Sequence, residues 1–183
     1  MFTLNHNISP DDSFAIEKAI SYLVTNYNES GVNPKPVILH SLRIAMMLME
    51  MGHDTQIIIG AILHDIIEDT AVTSEKLRAD FGEEILSLVT AVSYNETITD
   101  LIEQYKDMHD RVFAYGKAAV VLKAVDIAVN SLYIDLVSDM NKRRELVAKG
   151  TYFLNLTESF SNEPAWQLLK TRNEEEIAKL SAN

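Results

Sequence analysis

Residues 55–67 carry the feature that most limits how this chain folds, a run of isoleucine, alanine and leucine that is apolar around almost its whole circumference when wound as a helix. Such a helix must lie at the centre of a domain, because it has no face suited to water. We expect it to begin near Asp54 or Thr55 and to continue through Ile67. The polar residues of this region cluster at its end: His64, Asp65, Glu68 and Asp69.

The rest of the chain also has apolar residues at helical spacing rather than in strand-like alternation. Ser9 and Pro10 supply a start signal for the first helix, and Gly52 supplies a stop for the second. Residues 28–36 have a loop-like composition. The predicted helices span about 10–27, 36–51, 54–67, 74–92 with an interruption at Gly82, 101–115, 117–140, 143–160 and 164–180. The sequence therefore predicts an all-α bundle of about eight helices in one domain, residues 1–183.

Charge and cysteine content restrict the classes of function. The 27 acidic and 16 basic residues give a formal net charge of −11, which argues against binding to DNA or RNA. The absence of cysteine excludes disulfides, thiolate nucleophiles and Cys-ligated zinc, and it fits a reducing compartment such as the cytoplasm. The longest apolar run is too short to cross a membrane.

The polar cluster at the end of the apolar helix points to a bound cation. On a regular helix, His64, Asp65 and Glu68 fall within an arc of about 100°, and Asp69 lies just outside it. Burying several unpaired carboxylates costs several kcal/mol each, roughly, unless a positive charge compensates them. A divalent cation would provide that charge. The alternative is that the cluster forms the exposed, solvated end of the helix.

Two further polar residues interrupt apolar helix faces elsewhere. His40 lies in the inward row of the second helix, and Asp126 lies within the long apolar run that begins at Lys117. Each has a simpler interpretation, since His40 can be a hydrogen-bonded core residue and Asp126 can be a buried partner of Lys123. Together with His64 and Asp65 they form a set of imidazole and carboxylate ligands without sulfur, which suits Mn²⁺, Fe²⁺ or another first-row divalent ion.

The spacing of these residues resembles the signature of the HD-domain phosphohydrolases, which is a histidine, a His-Asp pair and a distant aspartate. Within that superfamily the sequence is most similar to the (p)ppGpp hydrolase domain of the RelA/SpoT type. The similarity extends over residues 40–130 and is strongest in two blocks. These blocks are Gly60-Ala61-Ile62-Leu63-His64-Asp65-Ile66-Ile67-Glu68-Asp69-Thr70 and the later polar positions Lys123, Asp126 and Asn130.

The resemblance implies an all-helical HD fold with a metal site in its core, and it implies a role for each matching residue. The implied Mn²⁺ ligands are His40, His64, Asp65 and Asp126. Glu68 and Asp69 would assist the attacking water, and Asn130 would hold the substrate. Further candidates for positive charge near the substrate are Lys123, Lys117 and Arg43, which can also be ordinary surface cations. Asp135 is a further acidic residue expected near the metal.

The chain departs from the family pattern at several polar positions. The basic segment that precedes the first histidine in the family is absent, and Ile127 and Val129 stand where the later motif has arginine and histidine. The expected function is metal-dependent hydrolysis of a nucleotide phosphate ester or anhydride. The specific reaction we expect is hydrolysis of the 3′-pyrophosphate group of (p)ppGpp. Alternatives are another small-phosphate HD phosphatase or nucleotidase, a catalytically silent nucleotide-sensing module, and a structural helical protein. A homodimer is compatible with the sequence.

Overall fold

The computed structural model describes residues 8–30 and 35–182, and the side chains of residues 28–30 are left out of the description. The described chain is helical. The helices are α1 (Pro10–Ser30), α2 (Val37–Glu50), α3 (Thr55–Leu63), α4 (Ile66–Asp69), α5 (Ser74–Val92), α6 (Leu101–Tyr115), α7 (Lys117–Asn130), α8 (Met140–Leu156) and α9 (Pro164–Ala182). Short 3₁₀ helices cover Ser131–Leu136 and Glu158–Phe160. Eight of the helices in this part of the chain have nine or more residues, which confirms the predicted all-α class.

The helix ends follow the start and stop signals of the sequence. At the beginning of α1, the Asp12 amide donates to Ser9 Oγ and the Ser9 amide donates to Asp12 Oδ2, a reciprocal cap. Asp54 and Thr73 cap α3 and α5 through bonds from backbone amides to their side-chain oxygens. Gly52 has a φ of 81°, a conformation that glycine adopts without strain, and it ends α2 as predicted.

Helices α3 and α7 form the centre of the bundle. Helix α3 packs against α1, α2, α5 and α7, and α7 also packs against α2, α6 and α9. All residues from 57 to 63 are buried, as are residues 119–126 of α7. A Cβ atom at Gly60 would lie 2.5 Å from Leu88 Cδ2, so the close approach of α5 to α3 depends on glycine at this position. The predicted central position of the apolar helix is therefore correct.

The structure corrects the predicted continuity of this central helix. Helix α3 ends at Leu63, and a short turn at His64 and Asp65 precedes α4. Asp65 has φ −95° and ψ 2°, which lies in the sparsely populated bridge region. In this turn, His64 Nε2 lies 3.0 Å from Asp65 Oδ1.

Two other predicted boundaries also differ from the structure. Helix α1 continues to Ser30, so the predicted loop at 28–36 is helical at its start, and residues 31–34 of that loop lie outside the described part of the chain. The run predicted as one helix from 117 to 140 ends as α-helix at Asn130 and continues as a 3₁₀ helix. Apolar periodicity alone does not distinguish the two helix types over a single turn. No helix within the described ranges is long and apolar enough to span a bilayer.

Candidate metal centre and substrate cavity

Four of the predicted metal ligands meet in the core, where α2, α3 and α7 come together. His40, His64 and Asp65 each offer one ligand atom, and these atoms all lie within 4.8 Å of one another. Asp126 Oδ1 is 3.1 Å from His40 Nε2 and 3.6 Å from His64 Nε2. Both imidazoles and the Asp126 carboxylate are buried. Residues from separate helices thus converge on one point, as their spacing in the sequence predicts.

The His64 ring is oriented as a metal ligand would be. Its Nδ1 atom lies 2.9 Å from the Ala61 carbonyl oxygen, and donation of an N–H to that oxygen leaves Nε2 as the nitrogen that a metal would bind after displacing its proton. Nε2 is buried and has no partner of hydrogen-bond geometry among the described residues, although carboxylate oxygens lie close to it. An imidazole nitrogen with neighbouring carboxylates fits a first-row divalent ion, so the donor set suits the expected metal.

The charges of this cluster are strongly coupled. Burial acts to lower the pKa of His64, but the carboxylates of Asp65 and Asp126 outweigh it and raise that pKa to about 10. Burial acts to raise the pKa of Asp65, but His64 and Lys35 hold it below its ordinary value. For Asp126, burial is likewise outweighed by Lys123 and the histidines, so its pKa is lowered. The site therefore holds two carboxylates in their charged form, which a bound cation requires.

Lys123 and Asn130 complete the surroundings of Asp126. Lys123 Nζ lies 3.0 Å from Asp126 Oδ2 and also donates to the Val92 carbonyl oxygen at 3.2 Å. Asn130 Nδ2 donates to Asp126 Oδ1 at 2.7 Å. The simpler interpretation of Asp126 as a partner of Lys123 is therefore correct, and it is compatible with a ligand role because the second oxygen faces the histidines.

Lys35 is a second ammonium group beside the cluster. Its Nζ atom lies 3.0 Å from Asp65 Oδ2, and the Lys35 side chain is 23% exposed. Burial acts to lower its pKa, but Asp65 and Asp126 outweigh this and raise it. Two ammonium groups therefore flank the carboxylates, and both also line the cavity described below.

The predicted catalytic carboxylates lie immediately beyond the cluster, on α4. Glu68 Oε1 accepts a hydrogen bond of 2.7 Å from the Tyr94 amide. Burial raises the pKa of Glu68, with Lys123 acting in the opposite direction and Asp65 adding to the rise. Asp69 Oδ2 accepts a hydrogen bond of 2.7 Å from the Tyr27 hydroxyl. Both carboxylates are thus held by partners from other parts of the chain.

A cavity of about 470 Å³ opens beside Asp126, between α7 and the α8–α9 pair. Its volume lies within the range of small-molecule sites, which is roughly 300–1,000 Å³. Four cationic side chains reach it, from Lys35, Lys123, Lys149 and Arg172. Three tyrosines also line it, Tyr94, Tyr105 and Tyr133, together with an apolar wall that includes Ile127 and Leu169. Such a lining can hold phosphate groups and an aromatic ring in one molecule.

The remaining predicted residues lie away from the cluster. Arg43 donates to the Tyr133 hydroxyl at 3.3 Å, so it contacts a cavity residue but does not itself line the cavity. Lys117 pairs with Glu163 at 2.7 Å and lies nine residues before Asp126, about 14 Å along the helix axis. Asp135, expected near the metal, is instead 70% exposed and lies 3.3 Å from Arg143.

Sequence reasoning missed several residues that line the cavity. Lys35 stands next to Pro36 in a segment interpreted as loop, and Lys149 and Arg172 resemble the ordinary surface cations of amphipathic helices. Only the tertiary structure distinguishes these residues from ordinary surface cations, because α8 and α9 fold back towards α7. A Cβ at Gly150 would lie 2.5 Å from Asn173 Oδ1, so this glycine permits the close approach of α8 and α9.

Comparison with known proteins agrees with this arrangement. The family described as HD domain matches residues 19–149. A guanosine-3′,5′-bis(diphosphate) 3′-pyrophosphohydrolase of Aquifex aeolicus is 29% identical over 145 residues, which cover 78% of this chain and 20% of that protein. A probable enzyme of the same name from Synechocystis is 31% identical over 116 residues, 60% of this chain and 15% of that protein. The chain thus spans about a fifth or less of the length of these relatives.

A solved structure shows the same fold at low sequence identity. A metazoan ortholog of SpoT, described as hydrolysing ppGpp, superimposes with a TM-score of 0.71 at 16% identity. The superposition covers 90% of this chain and 94% of the metazoan protein. Both chains therefore share an architecture over nearly their whole length.

Proposed function

Because the chain belongs to the HD-domain family, we propose that it is a metal-dependent phosphohydrolase that removes pyrophosphate from the 3′ position of (p)ppGpp or a closely related nucleotide. One observation carries the proposal: the His40, His64 and Asp65 ligand atoms and the Asp126 carboxylate meet beside a cavity of about 470 Å³ that cationic side chains line. The curated relatives named above support the choice of substrate.

The metal of this proposal is Mn²⁺, held by His40, His64, Asp65 and Asp126. A divalent ion in such a site lowers the pKa of a bound water and neutralises charge on phosphoryl oxygens. The chain itself fixes the ligands, since the Ala61 carbonyl orients His64 and both Lys123 and Asn130 hold the Asp126 carboxylate. Oriented ligands of this kind raise metal affinity.

Glu68 and Asp69 are the proposed acid–base residues. A carboxylate takes up a proton more readily when burial raises its pKa, and this is the environment of Glu68. The bond from the Tyr94 amide holds one oxygen of Glu68, which leaves the other oxygen for a water molecule. The Tyr27 hydroxyl holds Asp69 in a similar way. We assign proton transfer first to Glu68, because its charge interacts with those of Asp65 and Lys123.

The cations of the cavity would bind the substrate. Lys35 and Lys123 lie next to the proposed metal ligands, where the scissile phosphate group would bind, and Asn130, which also lines the cavity, would hold the substrate. Arg43 would act only through Tyr133. The position of Lys117, paired with Glu163 at the far end of α7, gives it no part in this proposal.

The experiment is a substrate panel at equal concentration, with ppGpp, nucleoside mono-, di- and triphosphates and p-nitrophenyl phosphate, each with added Mn²⁺. We expect ppGpp to be hydrolysed fastest and Asp65→Ala to abolish both turnover and metal binding. Asp110→Ala, at an exposed position of α6, is the control. If only another phosphate ester is hydrolysed, that ester replaces ppGpp as the proposed substrate. Full turnover by Asp65→Ala would overturn the proposed mechanism.

Metal binding is tested separately by thermal unfolding. A ligand present at 100 times its Kd stabilises the native state by about 2.7 kcal/mol. We therefore expect Mn²⁺ to raise the melting temperature of the wild type and not that of Asp65→Ala. Stabilisation by Mn²⁺ without turnover of any substrate would instead favour a nucleotide-sensing module, and no stabilisation would favour a structural protein.

A further inference from the structure

Tyr105 on α6 carries a buried hydroxyl that the proposed chemistry does not use. The residue is 9% exposed, and its side chain lines the cavity beside Asp126. Its hydroxyl oxygen is buried and has no hydrogen-bond partner among the described residues. A buried hydroxyl without a partner destabilises the folded protein, so the arrangement indicates a partner that comes from outside the chain.

Lys149 on α8 places its ammonium over the ring of Tyr105. Its Nζ atom is 4.8 Å from the centre of the Tyr105 ring, and the Lys149 side chain lines the same cavity. Its ion pair with Glu145, 3.3 Å long, joins two partly exposed residues four positions apart. Such exposed pairs contribute little, so they restrain an ammonium weakly. Lys149 is therefore able to turn towards an anion in the cavity.

The aromatic cluster beneath Tyr105 fixes the position of its ring. The His109 ring centre lies 4.0 Å from that of Tyr105, and both His109 nitrogens are buried without a partner in the described structure. Tyr152 stacks on His109 at 5.6 Å, and Phe153 packs against it at 5.0 Å. The hydroxyl of Tyr105 is thus presented from a rigid, apolar base.

The hydroxyl of Tyr105 acts as a donor. Burial raises its pKa far above the ordinary value, with Tyr94 and Asp126 adding to the rise, so the proton stays on the oxygen. A fixed O–H donor beside an ammonium group matches the oxygens of a phosphate, which accept hydrogen bonds and carry negative charge. Asp126 lines the same cavity, so a ligand bound by Tyr105 and Lys149 would share this space with the proposed metal centre.

We propose that Tyr105 and Lys149 form a second phosphate-binding subsite, which holds a phosphoryl group of the nucleotide that is not cleaved. The inference rests on the proposed function in one respect, the identity of the phosphate group that is cleaved. The subsite itself follows from the unpartnered hydroxyl, the adjacent ammonium and the shared cavity.

The test compares two substrates that differ only at the 5′ position: ppGpp, and guanosine 3′-diphosphate with a free 5′-hydroxyl. For Tyr105→Phe and Lys149→Met we expect KM for ppGpp to rise about tenfold, which corresponds to the loss of one charge-assisted hydrogen bond. The kcat for ppGpp and all constants for guanosine 3′-diphosphate should stay within twofold. Both variants keep the size of the side chain, and circular dichroism melting checks that they fold.

Two matched variants on α6 serve as controls. Lys106→Met removes a charge next to Tyr105. Lys106 does not line the cavity but lines a neighbouring groove, which Tyr105 and Lys149 also line. Tyr115→Phe removes a hydroxyl at the exposed end of the same helix. Neither should change KM for ppGpp. A loss in Lys106→Met equal to that in Lys149→Met would place the phosphate in the groove and overturn the subsite.

Equilibrium binding of GDP, which has no 3′-pyrophosphate, separates this inference from the proposed function. We expect the wild type to bind GDP about tenfold more tightly than either Tyr105→Phe or Lys149→Met. Equal affinity in all three proteins overturns the subsite, even where ppGpp is hydrolysed. Weaker GDP binding by both variants supports the subsite, even where the wild type hydrolyses nothing and the proposed function fails.

Discussion

Lys123 precedes Asp126 by three residues on α7, and its ammonium lies 3.0 Å from Asp126 Oδ2, so that Oδ1 is left to face His40 at 3.1 Å. One carboxylate thus joins a structural ion pair to the proposed metal site. The pair is almost fully buried, with side-chain exposures of 9% and 4%. Buried charges of this kind persist when each has a partner, and here the partner is built into the same helix.

We predict that Asp126→Asn weakens Mn²⁺ binding at least tenfold and lowers kcat/KM about a thousandfold, because it removes one anionic ligand and leaves Lys123 uncompensated. The metal-free protein should lose about 3 kcal/mol of unfolding free energy, since a buried ammonium then lacks its counter-charge. Calorimetry and urea unfolding measure these effects. The control is Asp135→Asn at the exposed position, and unchanged metal affinity in Asp126→Asn would contradict the ligand role.

A different result is expected for Lys35→Met. The Lys35 ammonium lies 3.0 Å from Asp65 Oδ2 and repels any cation that approaches this carboxylate. Removing this charge should tighten Mn²⁺ binding severalfold, because the ammonium no longer repels the ion. It should also raise KM for a phosphorylated substrate, because the same ammonium attracts phosphate. Titration calorimetry with the metal alone separates the two effects. Lys76→Met, which removes an exposed cation paired with Asp80, is the matched control.

Glu68→Gln tests the proposed base. We expect kcat to fall by a factor of about 10²–10⁴, while Mn²⁺ affinity changes less than twofold. A glutamine oxygen keeps the hydrogen bond from the Tyr94 amide, so thermal stability should be preserved. Exposed Glu83→Gln is the control. Normal turnover by Glu68→Gln would instead assign the role of the base to Asp69. In that case Asp69→Asn would lower kcat.

The buried His109 should make the protein sensitive to acid. Burial, with Lys123 and Lys149 acting in the same direction, lowers its pKa to about 3 from the ordinary value of 6.5. Because the unfolded chain binds this proton and the native state does not, stability is complete above pH 6.5 and is lost as pH falls towards 3. Between pH 6.5 and 4.5 the loss should be about 2–3 kcal/mol.

This pH effect is measured by urea unfolding of the wild type and of His109→Phe, which keeps an aromatic ring among Tyr105, Tyr152 and Phe153. We expect the stability difference between the two proteins to shift in favour of the variant as pH falls. Parallel stability curves would show that His109 is protonated in the native state. Tyr115→Phe, at the exposed end of the same helix, is the control, because it removes no group that titrates in this pH range.

Local sequence patterns singled out the residues of the buried His/Asp cluster but not those of the cavity beside it. His40 and Asp126 stand out because each interrupts an apolar helix face, and this contrast is visible without a structure. Lys149 and Arg172 show no such contrast, since cations on half-exposed helix faces are common. Only the packing of α8 and α9 against α7 places them at the cavity.

The turn at Asp65 illustrates a second limit of sequence patterns. Periodicity through Ile67 predicts an unbroken helix, because the apolar residues on both sides of the turn remain in phase. At the break, His64 lies close both to Asp65 and to Asp126, a residue of α7 that is distant in the sequence. A prediction from neighbouring residues does not include such long-range contacts.

The continuous burial of residues 119–126 in α7 has a consequence for how the protein fluctuates. Amide hydrogens in such a segment exchange with solvent only when large parts of the native state open, so they should be among the slowest in the chain. Asp126 and Lys123 are therefore carried by the segment that opens least often. Adaptation to ligands of different shape would instead come from the half-exposed cavity residues of α8 and α9, which can be altered without disturbing this slowly exchanging element.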